Sequence, residues 1–172
     1  IGIVGGMEIP MMKRFALAYI AGAKYISPKI EDYNSIIGTT PDAWNNPSKA
    51  KEIALSQFHN GVDVIFQVAG PSGAGIFDAT RQLNSLKDSE KKYFAIGVDS
   101  NQNDMVPGMV LTSMVKHVDI AVYMAIKDLV EGKFTAEAKY YDLRNGGIDW
   151  AYDKYNRLLF SGFEIRKINK IR

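Results

Sequence analysis

Short apolar runs alternate with amphipathic stretches of ten residues or more through about residue 132, and this order constrains the chain more than any other feature. Residues 1–5 form an apolar run ended by Gly5-Gly6, the pattern of a central strand entering a tight turn. Pro10 suits a first helical turn. Phe15, Ala18, Tyr19, Gly22, Ala23 and Ile26 then recur at helical spacing until Pro28 ends the helix. Residues 33–37 read as a second strand, and residues 38–47 as a polar loop rich in turn residues. The next helix carries Ile53, Ala54, Gln57 and Phe58 on one face, with Gly61 near its end. Further strands are predicted at 62–68, 93–98 and 109–113, and helices at 76–86 and 115–131. Beyond that point residues 140–143 and 158–165 read as strands, with Asn145-Gly146-Gly147 as a turn. The alternation predicts an α/β fold: a doubly wound, mostly parallel sheet with right-handed crossovers and helices on both faces.

Composition narrows the function classes. A hydrophobic fraction of 47% and a charged fraction of 23% exclude a disordered or collagen-like chain. The net charge of +2 is too small to point to nucleic acid. Residues 154–172 hold six basic residues and one acid, so this tail carries +5 (6 − 1) and the rest −3 (2 − 5). That run reads as a solvated strand edge or helix face rather than a membrane patch. The absence of cysteine excludes disulfides, thiolate metal sites and cysteine nucleophiles. No apolar run is long enough to span a membrane as a helix. No initiator Met, signal peptide or lipobox precedes the first strand, so a fragment of a longer protein is expected.

In open α/β sheets, ligands bind beyond the carboxyl ends of the strands. The unusual residues fall there: Gly5-Gly6-Met7-Glu8, Phe66 to Gly70, Val98 to Asn101, and Thr112 to Lys116. Gly5 and Gly6 allow either close approach of a ligand to the backbone or simply a tight turn. The stretch Gly70-Pro71-Ser72-Gly73-Ala74-Gly75 is either a phosphate cradle or a packing turn, and it fits neither the P-loop nor the dinucleotide spacing. Ser72 has no histidine on a neighbouring strand end to activate it as a nucleophile. Phe66 is either a core residue or a stacking surface for a flat ligand. Asp99 follows an apolar strand, where a carboxylate accepts hydrogen bonds from adjacent hydroxyls or caps a turn. Lys116 is read as opening a helix, where the dipole offers a cation nothing; its partner is then a ligand oxygen or solvent. His59 and His117 read as surface residues outside any metal-ligand spacing. Trp44 and Trp150 are placed in loops, covering a lobe or marking an interface. No acid/base pair or catalytic dyad stands out, so neither an enzyme nor a cofactor is expected.

Four blocks, Val4 to Pro10, Asp63 to Gly70, Ala95 to Gln102 and Val110 to Asp119, resemble the basic membrane protein family, with Asn145-Gly146-Gly147 similar to its later Gly-Gly turn. These are bacterial substrate-binding lipoproteins of ABC transporters, including purine nucleoside receptors. The resemblance implies a two-lobed type I periplasmic-binding-protein fold of the ribose-binding type, here lacking most of the first lobe. Residues 1–108 would form the second lobe, 109–134 would complete the first, and 135–172 would return to the second. It further implies an extracytoplasmic protein held at the cell membrane by an N-terminal lipid anchor absent from this chain, with ABC permease subunits as partners and no nucleic acid. Its ligand would be a nucleoside, with purine expected, captured between closing lobes without chemistry. Phe66 would stack on the base, Asp99 would bind the ribose hydroxyls and Lys116 would reach the sugar. Gly5, Gly6 and Met7 would form a backbone-rich wall, and Gly70 the loop below the base. The alternatives are a receptor for a sugar or autoinducer, a regulatory ligand-binding domain, or a Rossmann-like enzyme acting on a nucleotide.

Overall fold

The computed structural model describes residues 1–86 and 91–171. Strand β1 (Gly2–Met7) is buried through Gly6, as a central strand must be. Ile9 in extended conformation and Pro10 in the first turn start α1 (Pro10–Ile26). Strand β2 (Tyr33–Gly38) follows, then a tight 3-10 turn over Pro41–Asn45. The Asn46 side chain caps α2 (Pro47–His59) by accepting from Lys49 N. Strand β3 (Val64–Val68) leads through a 3-10 turn at Gly70–Ser72 into α3 (Gly73–Asn84), and β4 (Phe94–Asp99) into β5 (Val110–Lys116). The chain then forms α4 (Val118–Val130), β6 (Ile148–Trp150) and α5 (Gly162–Ile171).

The strands form one sheet in the order β2-β1-β3-β4-β5-β6. Strands β1 to β5 are parallel and β6 is antiparallel to β5. The winding reverses at β1: β2 lies on one side of it and β3 on the other. Helices α2 and α3 cover one face, packing Ala50, Ala54, Phe58, Ile76 and Phe77 on Val4, Ile37, Ile65, Ala95 and Val110. Helix α1 covers the other face, setting Met12 and Ala16 against Ile3, Phe66, Val68 and Val98. The doubly wound, mostly parallel α/β sheet expected from the sequence is therefore present.

Three local expectations are corrected. Residues 140–143 are not a strand, because local turns take up their polar groups: Asn145 Oδ1 accepts from Asp142 N, Asn145 Nδ2 donates to Tyr140 O, and Gly147 N donates to Asp142 O. The strand comes after the Gly-Gly turn, as β6. Residues 158–165 are not a strand either, because Ser161 and Glu164 form a reciprocal capping box that starts α5. Much of the basic tail is thus a helix face, with Arg172 outside the described residues. Finally, β5 runs three residues past Ser113, because β6 pairs with Met114, Val115 and Lys116.

Helix α4 stands apart. None of its residues is buried, and Val118, Val122, Tyr123, Ile126, Leu129 and Val130 are all exposed. Among the described residues, no helix is long and apolar enough to cross a membrane.

The α2–α3 contact is close at Gly75, where an added Cβ would stand 1.9 Å from Pro47 O and 2.8 Å from Lys51 N. Both are backbone atoms and cannot rotate away. Gly75→Ala is expected to lower the unfolding free energy by about 1–3 kcal/mol. Urea denaturation reads this as a lower midpoint; an unchanged midpoint would refute the contact.

Candidate ligand-binding site

Because β1 to β5 run parallel, their carboxyl ends share one edge, which carries Gly6 and Met7, Gly70, Asp99 and Lys116. The reversal between β1 and β3 is the topological switch point, where such sheets open a crevice. Trp44, in the 3-10 turn after β2, lies against this point. A Cβ on Gly6 would come within 2.3 Å of its indole Cε3, and one on Gly70 within 3.6 Å. Gly6 therefore leaves the space the indole fills. Gly70, at φ +56, takes a backbone conformation that disfavours a side chain.

Ser72 fixes the loop that carries Trp44. It is fully buried; its Oγ donates to Ala43 O at 2.8 Å and accepts from Asn46 N at 2.7 Å. Both bonds hold the Trp44 turn to the turn after β3, so Ser72 is a brace and no nucleophile. Gly70–Ser72 with Gly73 is accordingly a packing turn. Gly5 makes room for Met12, whose Cε would lie 2.4 Å from an added Cβ, and half-buried Met7 packs on the edge of the core. Of the three residues expected to form a wall, Gly6 faces the indole, whereas Gly5 serves the packing of α1.

A second cluster occupies the ends of β4 and β5. Asp99 Oδ1 lies 2.6 Å from Lys116 Nζ, and Lys116 Nζ sits 5.0 Å from the Phe15 ring centroid. Lys116 is the last residue of β5, not the start of a helix, so the expected conflict with a helix dipole does not arise. Its carboxylate partner and the Phe15 ring hold it. The two side chains remain 58% and 36% exposed for Asp99 and Lys116, so their pairing contributes no more than about 1 kcal/mol. Asp99 also has φ +68, the only positive φ at a non-glycine among the described residues. Such a conformation costs on the order of 1–3 kcal/mol and persists where surrounding structure holds it.

Phe66 packs tightly in the wall of the sheet. It is the third residue of the five-residue β3, its side chain is 5% exposed, and its ring packs against Tyr19 at 5.2 Å and Phe15 at 6.3 Å. Burial raises the Tyr19 hydroxyl above its ordinary pKa, which keeps it neutral beside these rings. Phe66 lies at the base of a cleft of about 680 Å³ between α1 and α5, also lined by Phe15, Met114, Lys116 and Trp150. Its ring therefore belongs to the core and also borders the cleft. The aromatic at the rim is Trp44, and the available signal was its place after β2, between Pro41 and Pro47. Trp150, expected in a loop, lies on β6 and stacks near Tyr152 and Phe160.

Beneath the rim runs a partly buried chain of hydrogen bonds. Gln67 Oε1 accepts from Ala69 N, and Gln67 Nε2 donates to Gln102 Oε1, which also accepts from Val98 N. Gln102 N donates to Ser113 Oγ, which donates to Asn103 Oδ1. Asn103 Nδ2 and Asn101 Nδ2 donate to Asp153 Oδ2 at 3.1 and 2.7 Å. Burial acts to raise the Asp153 pKa, but the bonds from Asn101, Asn103 and the Tyr155 and Asn156 backbones outweigh it and hold the carboxyl below its ordinary range. His59 is exposed at the end of α2 and His117 caps α4. No group of three His, Asp or Glu side chains among the described residues could hold a metal ion.

The family model for PnrA-like ABC transporter substrate-binding proteins matches residues 1–169. The chain is 34% identical over 163 residues to the ABC transporter nucleoside-binding protein BmpA of Lactococcus lactis subsp. cremoris, covering 89% of this chain and 45% of that protein. It is 29% identical over 150 residues to an uncharacterized lipoprotein of Pyrococcus horikoshii, covering 87% of this chain and 36% of that protein. Among solved structures, an ABC transporter solute-binding protein from Aeropyrum pernix K1 superposes with a TM-score of 0.76 at 31% identity, covering 92% of this chain and 42% of that one. The chain spans less than half the length of each of these relatives. With a match over nearly its whole length, the chain belongs to the PnrA-like family of ABC transporter substrate-binding proteins.

Proposed function

We propose that the chain is the second lobe of an extracytoplasmic receptor that captures a nucleoside, purine in preference, and delivers it to an ABC permease. The observation that carries this reading is the Asp99–Lys116 pair, open at the ends of adjacent strands, with Asp99 in a backbone conformation that costs energy. A weakly bound, exposed carboxylate can exchange an ammonium partner for two sugar hydroxyls at small cost. Lys116 then remains within reach of the same sugar. Trp44, braced by Ser72 at the switch point, offers an indole for the base, with the Gly6-Met7 backbone and the Gly70 turn beside it. The nucleoside-binding description of the Lactococcus lactis relative supports this ligand class.

Residues 1–108 are assigned to this lobe, 109–134 to the completion of the first lobe, and 135–172 to the return. The unpartnered apolar surface of α4 supports the middle assignment, since a helix of that composition needs a covering layer. Capture is by lobe closure and involves no bond making, so the protein is not an enzyme. The lipoprotein description of the Pyrococcus horikoshii relative supports a lipid anchor carried by the whole protein.

Isothermal calorimetry of the full-length protein with inosine, guanosine, cytidine and ribose tests the reading. Nucleoside binding with no response to ribose supports it, and ribose binding alone favours a sugar receptor. Asp99→Ala is expected to weaken nucleoside affinity at least tenfold, as loss of a charged hydrogen bond worth about 1.5–3 kcal/mol requires. Unchanged affinity removes Asp99 from the site. Trp44→Ala is expected to lower affinity by about 1–3 kcal/mol of stacking. Phe66→Ala should instead lower the unfolding free energy by about 3–5 kcal/mol. Thermal melts beside calorimetry separate the two aromatics.

A further inference from the structure

We infer that Asp153, which belongs to the segment returning after α4, is a positioning residue: its carboxylate sets the turn that presents Asp99 and so tunes the affinity for a ligand it does not touch. The ligand part of this inference rests on the reading of Asp99 as a ligand-binding carboxylate.

Residues 99–103 form a turn with little regular structure of its own. Asp99 sits at φ +68, and Ser100 N bonds back to Val98 O at 2.8 Å. A non-glycine residue in that conformation returns to ordinary backbone angles unless its neighbours over-determine it. The neighbours are tied from two sides. Toward the sheet, Gln102 and Asn103 meet on Ser113. Toward the chain's later segment, Asn101 and Asn103 both donate to one oxygen of Asp153.

The other oxygen, Asp153 Oδ1, accepts from Tyr155 N at 2.7 Å. Asp153 N donates to Asn156 Oδ1, and fully buried Asn156 donates onward to Leu111 O and Ala151 O. The residue carrying the carboxylate is thus anchored to β5 and to Ala151, just after β6, before it reaches the turn. Its two oxygens face four N–H donors, from Asn101, Asn103 and the Tyr155 and Asn156 backbones, which only an acceptor-only group satisfies. An asparagine in the same place turns an NH₂ toward at least one of those donors.

The same hydrogen-bond chain continues through Gln102 and Gln67 to Ala69 N, beside Gly70. Asp153 therefore stabilises the turns after β3 and β4 together, from about fifty residues downstream in sequence.

The test uses the full-length protein with two variants, Asp153→Asn and the exchanged pair N101D/D153N. In the double variant the amide donates and the carboxylate accepts, so the 101–153 hydrogen bond is restored with reversed polarity. Amide hydrogen exchange without ligand is followed by NMR at Gln102 and Asn103, with α2 and α3 amides as internal controls, and inosine affinity is read by calorimetry. D153N is expected to speed exchange at Gln102 and Asn103 about tenfold while the control amides hold, and to weaken inosine binding about tenfold. The exchanged pair is expected to recover part of both, because Asn103 Nδ2 still lacks the oxygen it shared with Asn101. Exchange and affinity within twofold of the parent overturn the inference, as does a D153N effect spread equally over the control amides, which would mark a general structural role. Failure of the parent itself to bind inosine counts against the nucleoside reading, while exchange at Gln102 and Asn103 still decides whether Asp153 sets the turn.

Discussion

The reversal of winding at β1 is the constraint on which the rest of the molecule depends. Helix α1 must cross one face of the sheet while α2 and α3 cross the other, so the helices part where β1 and β3 lie side by side. The strand ends there lie open in any sequence that folds this way. This sequence shapes the opening mainly by omission. Gly5 yields its volume to Met12, Gly6 yields its volume to Trp44, and the turn at Gly70 adopts an angle that excludes a side chain. Larger residues at these places would fill the crevice or displace the indole that borders it.

Charge and burial are kept separate around this opening. The exposed pair, Asp99 with Lys116, remains in contact with water, where each group is free to change partners. The partly buried bonds below it run through neutral amides and a serine hydroxyl, with one carboxylate, Asp153, at the half-buried end of the chain. A buried ion pair in the same position would have carried a desolvation penalty of several kcal/mol per ion. Amide side chains donate and accept at once, so they relay order between loops without that penalty.

Much of this was legible in the sequence, and the failures have physical causes. The alternation of apolar runs and helical stretches revealed the sheet, its order of elements and the edge where Gly6, Gly70, Asp99 and Lys116 gather. Phe66 stood out because an aromatic near the end of an apolar strand has two homes. Its packing partners on α1, Phe15 and Tyr19, lie about fifty residues away in sequence, beyond any local window. Trp44 reads in the sequence only as a loop residue that covers a lobe or marks an interface, because a polar loop offers no periodicity to place it; a buried serine in a different loop holds it. The extension of β5 through Lys116 depends on its pairing with β6, a long-range event invisible to a local window. The capping box at Ser161 and Glu164 was readable, but the apolar run around it suggested a strand.

The junction between β5 and α4 carries a mechanical consequence. Lys116 closes the strand, His117 caps the helix, and the His117 N–H is tied to Gly147 O, on the segment that comes back into β6. The outgoing and incoming strands are therefore clamped within a residue of the ammonium that meets Asp99. Lys116 is thereby held from two sides, by pairing with Ile148 and by the tie one residue on, so its ammonium meets Asp99 from a fixed base.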